Sequence, residues 1–275
     1  MRMKLPEPDW DSVRKRIVGW LKDFFQRTGR VAVIGLSGGV DSAVTAALLS
    51  EALGPERVRA LILPSASTPE KDVEDAKRVA RLLGIEDVRV IDVEPALRAF
   101  DDLLKVDDRV VRGNTLARIR MTILYAVAHK DGIVVGTGDK SEFLLGYFTK
   151  CGDGCADVFP IGDLYKTWVR KLALHMGLPE DVALKPSSPR LWPGHLAEEE
   201  LGFSYEVADV VLYNLVENGM RPQEIVERLG VDKEIVDRII QRIKLNKHKL
   251  ITPPIVKVTR RTAFEFVEEA DALLT

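Results

Sequence analysis

VAVIGLSGGVDSAV, residues 31–44, opens as one kind of structure and closes as another. Val31 to Ile34 is a short apolar run rich in β-branched residues, the signature of a strand buried on both faces. From Ser42 the run SAVTAALLSEAL is long and apolar enough for a helix. Between them lie two adjacent glycines, two serines and one aspartate. A parallel sheet gathers ligands at the carboxyl ends of its strands, and a helix N-terminus offers unpaired N–H groups and a positive dipole end to an anion. Gly38 and Gly39 allow the backbone close approach, and Ser37 and Ser42 add hydroxyl donors. Neither the Gly-Lys-Ser/Thr ending of a Walker loop nor a GxGxxG fingerprint is present. Asp41 would repel a bare phosphate, so the loop makes chemical sense with magnesium between acid and phosphate.

Working outward, residues 8–27 read as an amphipathic helix, with Trp10, Val13, Ile17, Trp20, Leu21 and Phe24 on one stripe. RVAVIGL, VRALILP, VRVIDV and IVVGT read as strands. SAVTAALLSEAL, PEKDVEDAKRVARLLG and NTLARIRMTILYAVAHKDG read as the helices between them. This alternation predicts a doubly wound α/β fold, a parallel sheet with helices on both faces and right-handed crossovers. After Gly138 the alternation gives way to a Gly/Asp-rich and then a Pro-rich stretch, which reads as active-site loops. Helices are expected again from about Tyr205. The expected organisation is a single domain over 1–275: an N-terminal helix (1–28), an α/β core with its loops (29–200) and a helical C-terminal part (201–275). PQEIVERLGVDKEIVDRIIQRIK reads as two helices joined at Gly230. A helix-turn-helix for nucleic acid and a hairpin packed on the sheet or on a second subunit both fit it, and the apolar Ile235, Val236, Ile239, Ile240 and Ile243 favour the hairpin.

The 275 residues carry a net charge of −2 and are 46% hydrophobic, enough for a large core. No apolar run approaches the ~20 residues of a membrane helix, and the first residues lack a signal peptide's apolar segment. The expectation is a soluble cytoplasmic protein without membrane or nucleic-acid partners. Arg221 to Arg261 holds eleven Lys/Arg against five Asp/Glu, so a basic end sits on an acidic body, as a polyanionic ligand would require. Asn and Gln number seven in all, a composition that hints at heat adaptation. Cys151 and Cys155 lack the second pair or the histidine of a zinc site; a disulfide between them is the alternative, unusual in cytosol, to two ordinary thiols.

The SGGVDS stretch, in its strand-turn-helix setting, resembles the pyrophosphate loop of the ATP pyrophosphatase family. Within that family GTGDKSEFLLGYFTKCGDGCADVFPIGDLYKT resembles the central block of the NAD synthetases, RGNTLARIRM their upstream helix and NKHKL their C-terminal His-Lys pair. The resemblance runs from about Val31 to Lys249. It implies an adenine nucleotide alpha hydrolase-like fold. It also implies an ammonia-dependent enzyme that adenylates the carboxylate of deamido-NAD with ATP and Mg²⁺ and releases NAD, AMP and pyrophosphate. The length leaves no room for a glutaminase domain beside this fold, so the expected nitrogen source is free ammonia, or ammonia fed by a separate glutaminase subunit. A homodimer with the dinucleotide across its interface is expected too. Other enzymes with this loop, GMP synthetase and the tRNA-modifying ones, are the alternatives.

Matched residue by residue, the resemblance implies that Gly35, Ser37, Gly38, Gly39, Asp41 and Ser42 hold the ATP phosphates, with Asp41 and Glu142 on Mg²⁺. Thr137 and Lys166 would contact ATP. Ser188 would do so as well, with Ser187 as its rival, in a Pro-rich lid ordered by ligands. Asp41, Glu142 and Lys166 form the implied catalytic set. Asn114 and Arg118, four apart on one helical face, would bind deamido-NAD with Lys150, Asp157, His248 and Lys249. Arg120, pointing elsewhere on that helix, serves either ATP or a salt bridge; Asp153 matches a family acid without an assigned role. His129, His175 and His195 read as surface or packing. The chain departs from the family at Cys151 (usually Tyr) and Cys155 (usually Gly). GHLAE also stands where GQ-x-DE is usual, so His195 replaces Gln and Ala197 replaces an acid that could orient or deprotonate ammonium.

Overall fold

The computed structural model describes residues 5–105 and 107–267 of the chain. Within these residues four strands form a parallel sheet: β1 (Val31–Gly35), β2 (Val58–Ile62), β3 (Val88–Val90) and β4 (Gly132–Val135). Their order is β3-β2-β1-β4, so the chain builds outward from β1 to β3, then returns to the other side of β1. Registers such as Ile34↔Ala60 and Ile34↔Val135 align the carboxyl ends of β1, β2 and β4. The expected parallel α/β layer is therefore present, with its switch point between β1 and β4.

Alternation along the strands divides the core. Ala32, Ile34, Ala60, Ile62, Ile133 and Val135 face a cluster built with α1 (Trp10–Thr28), α2 (Val40–Leu53), α3 (Glu70–Leu82), α7 (Lys166–His175) and α8 (Glu180–Ala183). Val33, Leu61 and Val134 face α4 (Glu94–Leu104) and α5 (Arg109–Ala128), through Leu97, Leu116 and Leu124. α2 is buried on all sides from Ser42 to Leu49, as its lack of a polar face requires. A third cluster joins α6 (Lys140–Leu145), α9 (Ala197–Leu201), α10 (Tyr205–Val216), α11 (Pro222–Leu229) and α12 (Lys233–Asn246).

Three expectations are corrected. The interval between Gly138 and Tyr205 holds more than loops and the short helix that DKSEFL allows (α6): α7, α8 and α9 lie in it too. α4 was not foreseen, and α5 starts at Arg109 rather than Asn114, capped by the Asp108 carboxylate on Val110 and Val111 N–H. The α11–α12 hairpin packs beside α6 and α10, not on the sheet, with Ile225, Val236 and Ile239 fully buried. Ile235, Ile240 and Ile243 are half-buried in the same cluster.

Residues 157–158 run alongside β4 as a rudimentary fifth strand. Val158 bridges Val135 in parallel, Asp157 N–H donates to Val134 O (3.0 Å) and Gly136 N–H to Val158 O (2.8 Å). No helix among the described residues is long and apolar enough to cross a membrane.

Candidate active site

The loop after β1 lies at the switch point. Gly38 takes φ +78°, and a Cβ there would lie 2.2 Å from the Asp72 carbonyl oxygen. Glycine is thus required by the packing of α3 against the loop as well as by backbone conformation. Ser37 is exposed into the cleft. Ser42 is buried and stitches the loop from behind: its Oγ accepts from Ser37 N–H and donates to Gly39 O, both at 3.1 Å.

Three helices begin at this point. Asp41 is in the first turn of α2, Glu142 is the third residue of α6, and Lys166 is the first residue of α7. The Lys166 side chain is fully buried, with its Nζ 2.7 Å from Asp41 Oδ2, 2.8 Å from Asp139 Oδ2 and 2.8 Å from Glu142 Oε1. Asp139 also caps α6 in a capping box: its Oδ1 accepts from Glu142 N–H, while Glu142 Oε2 accepts from Asp139 N–H. Burial, reinforced by Asp139 and Asp41, pushes the Glu142 carboxyl well above its ordinary range. Burial raises Asp139 in the same way. Burial alone would lower the Lys166 ammonium, but the three carboxylates outweigh it and hold it well above its usual range.

A cavity of about 260 Å³ opens beside the cluster. Gly35, Ser37, Gly39, Asp41, Thr137, Glu142, Ser187 and Ser188 line it, bringing together most of the residues expected on the ATP side. Arg120 lines it too; its Nε donates to Leu63 O (3.1 Å), Nη2 lies 3.4 Å from Thr68 Oγ1, and burial pulls the guanidinium down to about 10. Arg120 forms none of the ion pairs found among the described residues, although the Asp153 carboxylate, which also lines the cavity, favours its charged form.

The cavity's roof is the Pro-rich segment. Lys185 Nζ donates to Gly38 O (2.8 Å) and pairs with Asp72 (3.1 Å) and Asp75 (2.5 Å). Arg190 Nε pairs with Asp72 at 2.7 Å. Ser188 Oγ donates to His195 O, and Ser187 Oγ faces Arg170 Nη2 at 3.4 Å.

Residues expected on the dinucleotide side form a connected rim outside this cavity's lining. Asn114 Oδ1 accepts from Thr149 Oγ1 (2.6 Å), Arg118 Nε donates to Lys150 O (3.3 Å) and Lys150 Nζ to His248 O (3.1 Å). Lys249 Nζ donates to Gly146 O (2.7 Å) and Phe148 O (2.8 Å), fastening the chain after α12 to the loop after α6. His248 is exposed. Asp157 is turned to structural work, accepting from Val134 N–H (2.8 Å) and Tyr125 OH (3.2 Å). Asp153 lines the cavity and accepts from Thr149 N–H (2.8 Å), and partial loss of hydration there raises its carboxyl.

Sequence reasoning missed Asp139, the Lys185–Asp72–Arg190 tether and a hydrogen-bonded trio around the buried His195 at the roof. In that trio His195 Nε2 meets Glu200 Oε2 (2.7 Å) and Tyr147 OH (3.0 Å), and Tyr147 OH donates to Glu200 (2.6 Å). Burial lowers the His195 imidazole, which stacks on Trp192 at 3.5 Å; its reading as a packing residue agrees with this. Glu198, next to Ala197, accepts from Tyr205 N–H at 3.0 Å. The signal for Asp139 was its place before K-S-E, where an N-cap acid completes a capping box. That for the tether was two cations enclosing the serines in KPSSPR.

Asp41 and Glu142 fit a magnesium ion. Both residues line the cavity, and Asp41 Oδ1 is buried without a hydrogen-bond partner. Among the described residues no cluster of three or more acids, histidines or cysteines could hold a metal alone. The fit is therefore to an ion that shares its shell with phosphate oxygens, as Mg²⁺ does with nucleotides.

Comparison with known proteins agrees with this geometry. The family model described as NAD synthase matches residues 13–253. The chain is 47% identical over 255 residues to the NH(3)-dependent NAD(+) synthetase of Hyperthermus butylicus, covering 91% of this chain and 92% of that one. Among solved structures, the NH3-dependent NAD synthetase of Campylobacter jejuni superposes with TM-score 0.78 at 32% identity, covering 91% of this chain and all of that one. The NMN synthetase of Francisella tularensis superposes with TM-score 0.81 at 33% identity, covering 92% and all respectively.

Proposed function

The chain belongs to the NAD synthase family, and from that premise we propose that it amidates deamido-NAD with ammonia and ATP. A free carboxylate is a poor electrophile; its oxygen attacks the α-phosphorus of ATP, pyrophosphate leaves, and ammonia then displaces AMP from the mixed anhydride. The observation that carries this reading is the convergence of Asp41, Glu142 and Lys166 on the SGGVDS loop at the sheet's switch point.

The residues divide the work by charge. Ser37 and the N–H groups at the start of α2 would receive the departing pyrophosphate, helped by the helix dipole. Ser42 holds that loop in shape from behind. Lys166, charged at any physiological pH, would neutralise phosphate oxygens as negative charge moves onto them. Arg120 would supply a second, largely dehydrated cation to the nucleotide. Asp41 and Glu142 would hold Mg²⁺, whose chemistry when bound is to screen the phosphates and ease loss of pyrophosphate. Thr137, Ser187 and Ser188 would fix the nucleotide from the cavity walls. Asn114, Arg118, Lys150, His248 and Lys249 would take the dinucleotide on the adjoining rim. A homodimer that completes this rim is part of the proposal.

The test is purified protein with ATP, Mg²⁺, ammonium and deamido-NAD, following NAD, AMP and pyrophosphate. NAD formed one-for-one with AMP is expected, and Lys166→Met should lower kcat by at least a hundredfold. The structural likeness to an NMN synthetase makes the deamidated mononucleotide the second acceptor to try. A kcat/KM for it above that for deamido-NAD would overturn the choice of acceptor.

A further inference from the structure

The CGDGC turn, residues 151–155, carries two thiols where the sequences it resembles have Tyr and Gly. Cys151 and Cys155 are both free and exposed, four positions apart in the chain. The backbone brings them together. Gly152 and Gly154 N–H donate to Thr149 O at 2.9 and 3.2 Å, and Cys155 N–H donates to Gly152 O at 2.9 Å, folding the five residues back on themselves. Cys151 holds φ +60°, a left-handed conformation that a residue with a Cβ adopts only at a cost. Partial burial and the adjoining Cys151 hold the Cys155 thiol above its ordinary range. With no group of three metal-ligating side chains among the described residues, the pair lacks a metal site's further ligands.

The turn is also the hub of the rim. Lys150, immediately before Cys151, accepts Arg118 on its carbonyl and reaches His248 O with its ammonium. Asp153, inside the turn, lines the cavity.

We propose that Cys151 and Cys155 form a reversible dithiol–disulfide pair that sets the freedom of this turn and so the affinity for the dinucleotide. The oxidant is a low-molecular-weight disulfide. The Cys151 thiolate attacks one of its sulfurs, expelling the first small thiol and leaving a mixed disulfide. The Cys155 thiolate then attacks the Cys151 sulfur, expelling the second. One S–S bond and two protein thiols are exchanged for one protein S–S bond and two small thiols. The closed ring of five residues restrains Lys150 and Asp153, which the open turn leaves free to adjust to a ligand. This last step rests on the dinucleotide assignment made above; the pairing of the thiols does not.

The test equilibrates the full chain in glutathione disulfide–glutathione mixtures, then measures intact mass, alkylatable thiols and steady-state kinetics. Expected is loss of two hydrogens, no alkylatable thiol, a proteolytic fragment linking Cys151 to Cys155, and full reversal by dithiothreitol. Persistent glutathione adducts, or disulfides between chains, overturn the pairing. Oxidation is expected to raise KM for deamido-NAD at least threefold with KM for ATP unchanged, and Cys151→Ser/Cys155→Ser is expected to ignore the oxidant. A disulfide that forms without changing KM overturns the control of affinity. A protein that makes no NAD in either redox state instead refutes the functional reading, while the mass measurement still decides the pair.

Discussion

Gly38 and Gly39 are neighbours with different physical duties. At Gly38 an added methyl meets a backbone carbonyl at 2.2 Å and the backbone is left-handed; at Gly39 the nearest atom is a serine hydroxyl at 3.5 Å and φ is −98°. Gly38→Ala is therefore expected to lower stability by ~2 kcal/mol or more in urea unfolding and to raise KM for ATP. Gly39→Ala should change stability by less than ~1 kcal/mol, since any loss of cap preference is offset by a stiffer unfolded chain. The pair of glycines was legible in the sequence; the reason for the first was not, because Asp72 comes from a segment distant in the chain. The same limit hid Asp139 and the burial of Lys166. The resemblance marked Lys166 as an ATP contact, but only the folded arrangement shows three acids from two other segments meeting its ammonium.

At the scale of elements, α2, α6 and α7 aim their N-termini at one point, and α10 holds two of them there. Asp209 on α10 accepts from Ser141 Oγ of α6 (2.5 Å) and from Thr167 N–H of α7 (2.8 Å). Burial pushes its carboxyl up to about 6. The folded state thus holds this proton more tightly than an unfolded chain, where aspartate titrates near 3.9. Its contribution is complete below pH ~4 and is lost as pH rises through 6. Relative to Asp209→Asn, the parent protein should lose ~2–3 kcal/mol of stability between pH 4 and 7, measured by urea unfolding across that window. The roof segment is the other element with a testable role. Lys185 and Arg190 tether it to Asp72 beside the Gly38 loop, so nucleotide in the cleft should slow amide exchange over residues 186–196. Equal exchange with and without ATP would mean the tether alone sets its order. The long amphipathic α1 and the β-branched strands were readable from period and composition. α7 was not, because KTWVRKLALH is short, lacks a polar N-cap and begins with a buried charge.

For the whole molecule, the broad apolar surface of α4 and the start of α5 bears on assembly. Phe100, Leu103, Leu104, Val110 and Val111 are all exposed in the single chain, and patches of this kind mark interaction sites. Sedimentation at micromolar concentration is expected to give twice the chain mass, and Leu103→Asp to shift the equilibrium toward the monomer if this face takes part. The sheet itself tells a different story at its two margins. β3 is three residues long and carries Arg89, while β4 is covered by residues 157–158 of its own chain. Neither margin offers another chain a long row of bare N–H and C=O groups. A chain that opens briefly on heating therefore finds no long strand edge to pair with on its folded neighbours.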